Sequence, residues 1–326
     1  MKLGILGTGM IVKDLMQIYD ELPIEKTYLL GVEQAKAEAE EMAKTHHMAG
    51  VFYDYDELLA SEVDTIYVAL PNALHYSFAL KALEHNKNVI LEKPITANAQ
   101  ELKDLMALAD RQDLILLEAM SVPYMPAFQG LKAHLKDLGD IKIVSFNYSQ
   151  YSSRYDAFKQ GTILPAFDYH KAGGALYDLN VYNVHALLHL FGKPDSVYYE
   201  ANIEKGIDTS GILILDYGTF KAVSIGAKDC KAPLMNTIQG DQGCLVMDTS
   251  VNNMRHYTFM KNNGETEHED FDEKTHRMFY EFEAFIRIID GHDRQASKEA
   301  LVYSLMASEL MEKARKEKGV QFDNDK

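Results

Sequence analysis

The first third of the chain alternates short apolar runs with longer stretches in which apolar residues recur every three or four positions. The runs at 3–6, 28–32, 65–70, 88–92 and 114–119 are predicted strands, and the segments near 10–20, 34–46, 73–85 and 98–111 are predicted helices. Strands that alternate with helices of ten or more residues make βαβ units and a parallel sheet covered on both faces. "TIYVAL" and "DLILLEA" are apolar throughout, as doubly covered strands require; a half-exposed strand would alternate.

After residue 122 the pattern changes. A helical stretch near 126–137 leads into "IKIVSFNYSQYS", and a long helix is expected at about 173–191. The strands "SVYYEANI", "SGILILDYG", "FKAVSIGAKD" and "GCLVMDT" then follow one another across short turns, which predicts an antiparallel sheet. One broad face of that sheet needs cover, from the long helix or from a second subunit. A final amphipathic helix spans about 297–318. Two prolines interrupt the pattern in "SVPYMPAFQ", so the domains are read as 1–121 and 122–326. The expected class is α/β: a doubly wound parallel sheet, then an α+β domain with a large, mostly antiparallel open sheet.

Composition narrows the function. Of 326 residues, 47% are hydrophobic and 25% charged, ordinary values for a globular chain. A formal net charge of −16 argues against a nucleic-acid partner, because phosphate binding needs a basic face. No apolar run reaches the roughly 20 residues that span a bilayer, and "MKLGILGTGM" enters a strand directly instead of a signal-peptide core. Cys230 and Cys244 are the only cysteines, too few for a disulfide framework or a zinc site of their own. The expectation is a cytoplasmic protein with a small-molecule substrate, bound to neither membrane nor nucleic acid.

Candidate chemistry begins at the first turn. "GILGTGMIVKDL" puts Gly7, Thr8, Gly9, Met10 and Ile11 between the first strand and its helix. Glycines there allow a tight turn and a close approach of backbone to a pyrophosphate at the helix N-terminus. The third glycine of that fingerprint falls at Val12. Glu33 closes the second strand, where a carboxylate accepts hydrogen bonds from an adenosine ribose and repels a 2′-phosphate. Gln34 follows it, with no arginine clamp, so the cofactor expected is NAD, with NADP left open.

Two further stretches place charge where apolar residues dominate. "VILEKPI" ends an apolar strand in Glu92-Lys93-Pro94, and the carboxyl end of a parallel strand is where ligands bind. In "AGGALYDLNVYNVHALLHLFGKP", Asp178, Tyr182, His185 and His189 recur as one helical stripe. An ionisable seam on a mostly buried helix needs partners or a wet cleft. His185 and His189 could hold a metal with Asp178 or His170, but no HExxH-type base lies between them, and no metal is expected. Alternatively Asp178 and Tyr182 face a substrate with His185 in support, or the helix is core with satisfied polar groups.

Taken together, the glycine turn, "VALPNALHYSFALKALEHNKNVILEKPITAN", "LILLEAM" and "AGGALYDLNVYNVH" resemble the glucose–fructose oxidoreductase/inositol dehydrogenase (Gfo/Idh/MocA) family. The resemblance implies a Rossmann domain followed by an α/β domain whose sheet joins subunits into homodimers or homotetramers. It matches Lys93 to the catalytic lysine, with a cis Lys93–Pro94 bond, and Asp178 to the aspartate of the long helix. Pro71, Asn72 and His75, with Glu92, match the segments that border the cofactor. Tyr182 stands where the inositol dehydrogenase type has histidine, as in the glucose–fructose oxidoreductase and dimeric dihydrodiol dehydrogenase branches. Val12, Asn180 and the absence of Trp and Arg after "EAM" depart from the pattern.

Those residues permit oxidation of a secondary alcohol. Free tyrosine titrates near 10, and a nearby ammonium favours the phenolate. Lys93 and Tyr182 therefore make a sensible proton-transfer pair, with Asp178 orienting Lys93 or accepting a hydroxyl. The expected activity is NAD(P)-dependent hydride transfer on a sugar, polyol or related secondary alcohol or ketone. The alternatives are a non-catalytic cofactor-binding regulator, or a reductase of a dihydrodiol or imine.

Overall fold

The computed structural model describes residues 1–271 and 276–325, which divide into two compact units. The first comprises Met1–Met120 with the described residues of 274–305; the second holds the rest. The change of unit after Met120 falls at the Pro-interrupted stretch. The helix Met278–Asp290 and the start of the helix Arg294–Glu317 belong to the first unit, although the pattern reading leaves them in the second domain.

The first unit is built on six strands: β1 (Lys2–Leu6), β2 (Lys26–Leu30), β3 (Gly50–Phe52), β4 (Thr65–Val68), β5 (Asn88–Glu92) and β6 (Leu116–Ala119). Their order is β3-β2-β1-β4-β5-β6, and every neighbouring pair is parallel. This is the doubly wound order that the alternating pattern implies. Leu6, Val68, Val89 and Leu91 pack with Leu58, Leu83, Leu102 and Leu105 from the connecting helices. Each such side chain contributes about 2 kcal/mol by leaving water. The helix Ala99–Arg111 starts on a reciprocal cap. Asn98 Oδ1 accepts the Glu101 N–H at 2.9 Å, and Glu101 Oε2 accepts the Ala97 N–H at 3.1 Å.

The second unit is an eight-stranded sheet: β7 (Ile141–Ser149), β8 (Ser196–Glu204), β9 (Ile207–Asp216), β10 (Lys221–Ala227), β11 (Asn236–Gly240), β12 (Gly243–Met247), β13 (His256–Lys261) and β14 (Thr266–Asp270). The order is β14-β13-β12-β11-β7-β10-β9-β8, antiparallel except between β7 and β10. The mostly antiparallel sheet expected from consecutive strands is therefore present. Along β9, Leu213 and Leu215 are buried while Ile212 and Ile214 are exposed, so the sheet has one covered face and one apolar outer face.

The long helix differs from a continuous α-helix. Leu176–Asn180 forms a π-turn that passes into the α-helix Val181–Phe191, ended by Gly192 at φ +75°. The π-turn lies on β10. Ser224 Oγ donates to Asn180 Oδ1 at 2.6 Å, and Asn183 Nδ2 donates to the same oxygen at 3.0 Å. Gly226 makes this approach possible, since a Cβ there would sit 2.6 Å from Asn180 Cβ. Among the described residues no helix is long and apolar enough to cross a membrane.

Candidate active site

Parallel pairing brings the predicted cofactor residues of the first unit to one sheet edge. Gly7–Ile11 follow β1, Glu33 lies just beyond β2, Pro71 and Asn72 follow β4, and Glu92-Lys93 end β5. The register Leu6↔Leu30, Leu6↔Val68 and Val68↔Leu91 sets these ends side by side. Glu33 and Lys93 are thus three strand spacings apart, about 14 Å at ~4.8 Å each, with the glycine turn between them. Such a row suits an extended dinucleotide, its adenosine end at β2 and its nicotinamide end at β4 and β5.

The glycines fit that group for two different reasons. Gly7 has φ +99° and donates its N–H to Leu30 O at 3.0 Å, a left-handed conformation that other residues rarely adopt. Gly9 has an ordinary φ of −67°, and a Cβ there would meet no protein atom within 4 Å. The protein itself does not require glycine at 9, whose bare backbone leaves room for a ligand to lie close. Val12 is fully buried, so an apolar side chain fills the place of the third glycine. Glu33 is exposed, in a short 3₁₀ turn after β2.

At the end of β5 the Lys93–Pro94 bond is cis, as the resemblance implies. The half-buried Lys93 follows a buried Glu92, whose Oε1 accepts from Tyr67 Oη and whose Oε2 accepts the Lys93 N–H at 3.2 Å. Burial pushes the Glu92 carboxyl above its usual range, while Tyr67 and the Lys93 ammonium pull it back. His75 is fully buried, with Nδ1 at 3.0 Å from Pro94 O and Nε2 at 2.8 Å from Leu70 O. Burial pulls its pKa down from the usual range, and the carbonyls oppose that shift. Both Glu92 and His75 thus hold backbone on either side of the lysine.

In the second unit the π-turn carries Asp178 and the α-helix carries Tyr182 and His185. Gly174, at φ +101°, admits Asp208 to the start of this segment, where Asp208 Oδ2 accepts the Leu176 N–H at 2.7 Å. Asp178 Oδ2 accepts from Lys228 Nζ at 2.5 Å, and the same ammonium donates to Ala166 O at 2.6 Å and stands 4.7 Å over the Phe167 ring. The Lys228 side chain is only 2% exposed, whereas Asp178 is 34% exposed and so presents the pair to its surroundings. Tyr182 is buried, its ring 6.1 Å from that of Tyr148. His185 is buried and its ring stacks 6.1 Å from His189; burial lowers both histidines to about 3, so they stay neutral. His170, offered beside Asp178 as a third ligand in the metal alternative, is exposed against Asp323 at 2.6 Å.

Comparison with known proteins then decides the family. The model of the oxidoreductase family, NAD-binding Rossmann fold (GFO/IDH/MocA), matches residues 1–120, and the GFO/IDH/MocA C-terminal domain matches 131–246. Scyllo-inositol 2-dehydrogenase (NADP(+)) IolU of Bacillus subtilis is 34% identical over 329 residues, covering 99% of both chains. The chain belongs to the GFO/IDH/MocA family. Trans-1,2-dihydrobenzene-1,2-diol dehydrogenase of Xenopus tropicalis is 27% identical over 258 residues, 77% of this chain and 76% of that one. The crystal structure of a 3-ketoreductase from Actinomadura kijaniata, in complex with NADP, shares the fold at TM-score 0.82 and 20% identity over 97% of each chain. As a GFO/IDH/MocA member the protein is an NAD(P)-binding oxidoreductase acting on CH–OH groups.

For this GFO/IDH/MocA chain, sequence reasoning missed Lys228. Its signal was available: "FKAVSIGAKD" is an apolar strand that ends in lysine, as "VILEK" does. Its partner Asp178 lies 50 residues away, so spacing alone could not join them. Lys228 fixes the Asp178 carboxylate in one orientation. Lys228→Met is expected to lower kcat/KM about ten- to hundredfold, as a misplacement near the chemistry does, with Lys228→Arg recovering part of the loss. Steady-state kinetics on the two variants checks this; equal impairment of both would leave Lys228 a packing residue.

Proposed function

We propose that this protein oxidises a secondary alcohol of a sugar or polyol, or reduces the corresponding ketone, with Lys93 and Tyr182 as the proton-transfer pair. The observation that carries the reading is the row at the edge of the first sheet: glycine turn, acidic strand end, and a lysine held at the mouth of β5. Two similarities point toward polyols and diols: the name of the Bacillus subtilis relative and that of the dihydrodiol dehydrogenase. We assign cofactor binding to 1–121 and substrate binding and oligomer formation to 122–326.

The residues take the following roles. Gly7, Thr8, Gly9, Met10 and Ile11 cradle the pyrophosphate, Glu33 binds the adenosine ribose, and Pro71 and Asn72 border the nicotinamide. His75 and Glu92 hold the backbone at that border. When bound, the nicotinamide exchanges hydride with the substrate carbon. Lys93 hydrogen-bonds the substrate oxygen, and Tyr182 exchanges the hydroxyl proton. Asp178 accepts a second substrate hydroxyl, and His185 supports the substrate-facing helix. The test is a panel of inositols, sugars and diols with NAD and NADP, followed by nicotinamide absorbance. Turnover of a polyol supports the reading; turnover confined to imines or tetrapyrroles would overturn it.

Glu33 argues for NAD, because its carboxylate repels a 2′-phosphate, while the Bacillus subtilis relative is named for NADP. Glu33→Ser is expected to raise the NADP-to-NAD ratio of kcat/KM about tenfold, or ~1.4 kcal/mol of discrimination. A wild-type enzyme that already prefers NADP strongly would contradict the role given to Glu33.

A homodimer or homotetramer through the outer sheet face completes the proposal. Tyr198, Ile214 and Val223 stand abreast on β8, β9 and β10, with Ile212 beside Ile225. Tyr198, Ile212 and Ile214 are exposed, an apolar patch that a second copy would cover. The free thiols Cys230 and Cys244 suit a reducing, cytoplasmic setting.

A further inference from the structure

The turn that carries Lys93 is held by its backbone at three successive residues. Glu92 accepts the Lys93 N–H, His75 Nδ1 lies at 3.0 Å from Pro94 O, and Glu118 Oε1 accepts the Ile95 N–H at 3.0 Å. All three side chains are buried. Glu118 is the one to which the proposed function gives no role. It comes from β6, where "LILLEAM" is otherwise apolar. An amide could accept the Ile95 N–H equally well, and a buried carboxyl is costly, so hydrogen bonding alone does not account for a glutamate here.

What surrounds it supplies the reason. The Lys93 ammonium and the Ser304 hydroxyl both stabilise the Glu118 carboxylate, against a desolvation that pushes its pKa up to about 7. Glu281, from the helix Met278–Asp290, faces both Glu118 and Glu92, and Arg277 at the start of that helix faces Glu281 and Glu92. Tyr67 from β4 bonds Glu92, and His75 feels Lys93. Burial and two carboxylate neighbours push the Glu281 carboxyl well above the usual range. Three close buried carboxyls cannot all ionise near neutrality. Glu118, pushed up to about 7, is the carboxyl of the three that both holds the turn at Ile95 and faces Lys93.

We propose that Glu118 is a positioning residue for Lys93, its carboxylate holding the Lys93–Pro94–Ile95 turn and supplying the counter-charge that keeps the Lys93 ammonium charged and in place. The proposal rests on the catalytic reading of Lys93 for its meaning, but not for its test. The sign follows from the raised carboxyl pKa: Glu118 carries its charge above pH about 7 and loses it as pH falls through that value.

The direct test is competitive labelling of Lys93 with acetic anhydride across pH, read by mass spectrometry on the full-length protein. Glu118→Gln keeps an acceptor for Ile95 and removes the charge. It is expected to lower the apparent pKa of Lys93 by about one unit, so that Lys93 labels up to about tenfold faster below its titration midpoint. Ser304→Ala removes a hydroxyl that favours the carboxylate, and should move the neutral-pH inflection in the labelling profile to higher pH. Labelling curves that superimpose for wild type, Glu118→Gln and Ser304→Ala would overturn the proposal. In turnover assays Glu118→Gln should lose the acid-side inflection near pH 7 with cofactor affinity unchanged. If labelling shifts but Lys93→Met still turns over, the coupling stands and the catalytic reading of Lys93 fails.

Discussion

Lys93→Met is expected to reduce kcat by three orders of magnitude or more while leaving NAD(P) affinity within a few-fold of wild type. Methionine matches the length of the lysine stem but can neither donate to a substrate oxygen nor carry charge. Proton transfer by a placed group contributes typically 10²–10⁴-fold, and a fixed cation facing developing negative charge adds to it. The substitution keeps the turn's hydrogen bonds, because the backbone holds from Glu92, His75 and Glu118 do not involve the lysine side chain. Cofactor affinity should survive because the glycine turn and Glu33 lie on other strands, β1 and β2, away from the ammonium. Steady-state kinetics paired with cofactor titration separates the effects. Activity within tenfold of wild type would remove Lys93 from the reaction.

Tyr182→Phe is the second large effect, a loss of about 10²- to 10³-fold in kcat with little change in fold stability. The ring is buried and packs near Tyr148, and phenylalanine keeps that packing while deleting only the hydroxyl. If Tyr182 exchanges the proton, the variant also shows an altered pH profile of kcat. Thermal unfolding at wild-type temperature shows that the loss is chemical. Near-normal turnover with an unchanged pH profile would demote Tyr182 to a packing residue.

Much of this architecture can be read from the chain before any coordinates. Doubly covered parallel strands need continuous apolar runs, and "TIYVAL" and "DLILLEA" supply them, so β4 and β6 were plain. The strand β3 is only three half-buried residues, too short to carry a period. The helix Met278–Asp290 escaped because "MFYEFEAFIRIID" is rich in aromatic and β-branched residues, which favour strands until tertiary packing overrides them.

The site divides the same way. Gly7, Gly9 and Glu33 are legible because their roles follow from local backbone and strand ends. The seam from Asp178 to His189 assumed 3.6 residues per turn throughout, and the π-turn at Leu176–Asn180 breaks that period just where Asp178 sits. Asn180, a departure from the family pattern, has its explanation in Gly226, 46 residues on, whose missing Cβ makes the room. Lys228 and Glu118 act through partners that only the fold brings close.

Deuterium transfer tests the central claim most directly. Wild-type protein incubated with carbon-deuterated inositols, sugars and diols and oxidised NAD or NADP should yield, from at least one of them, reduced nicotinamide carrying the label at C4, and Lys93→Met should yield almost none. A protein that binds the cofactor yet transfers no label from inositols, sugars or diols would contradict the enzymatic reading and leave the non-catalytic regulator in its place.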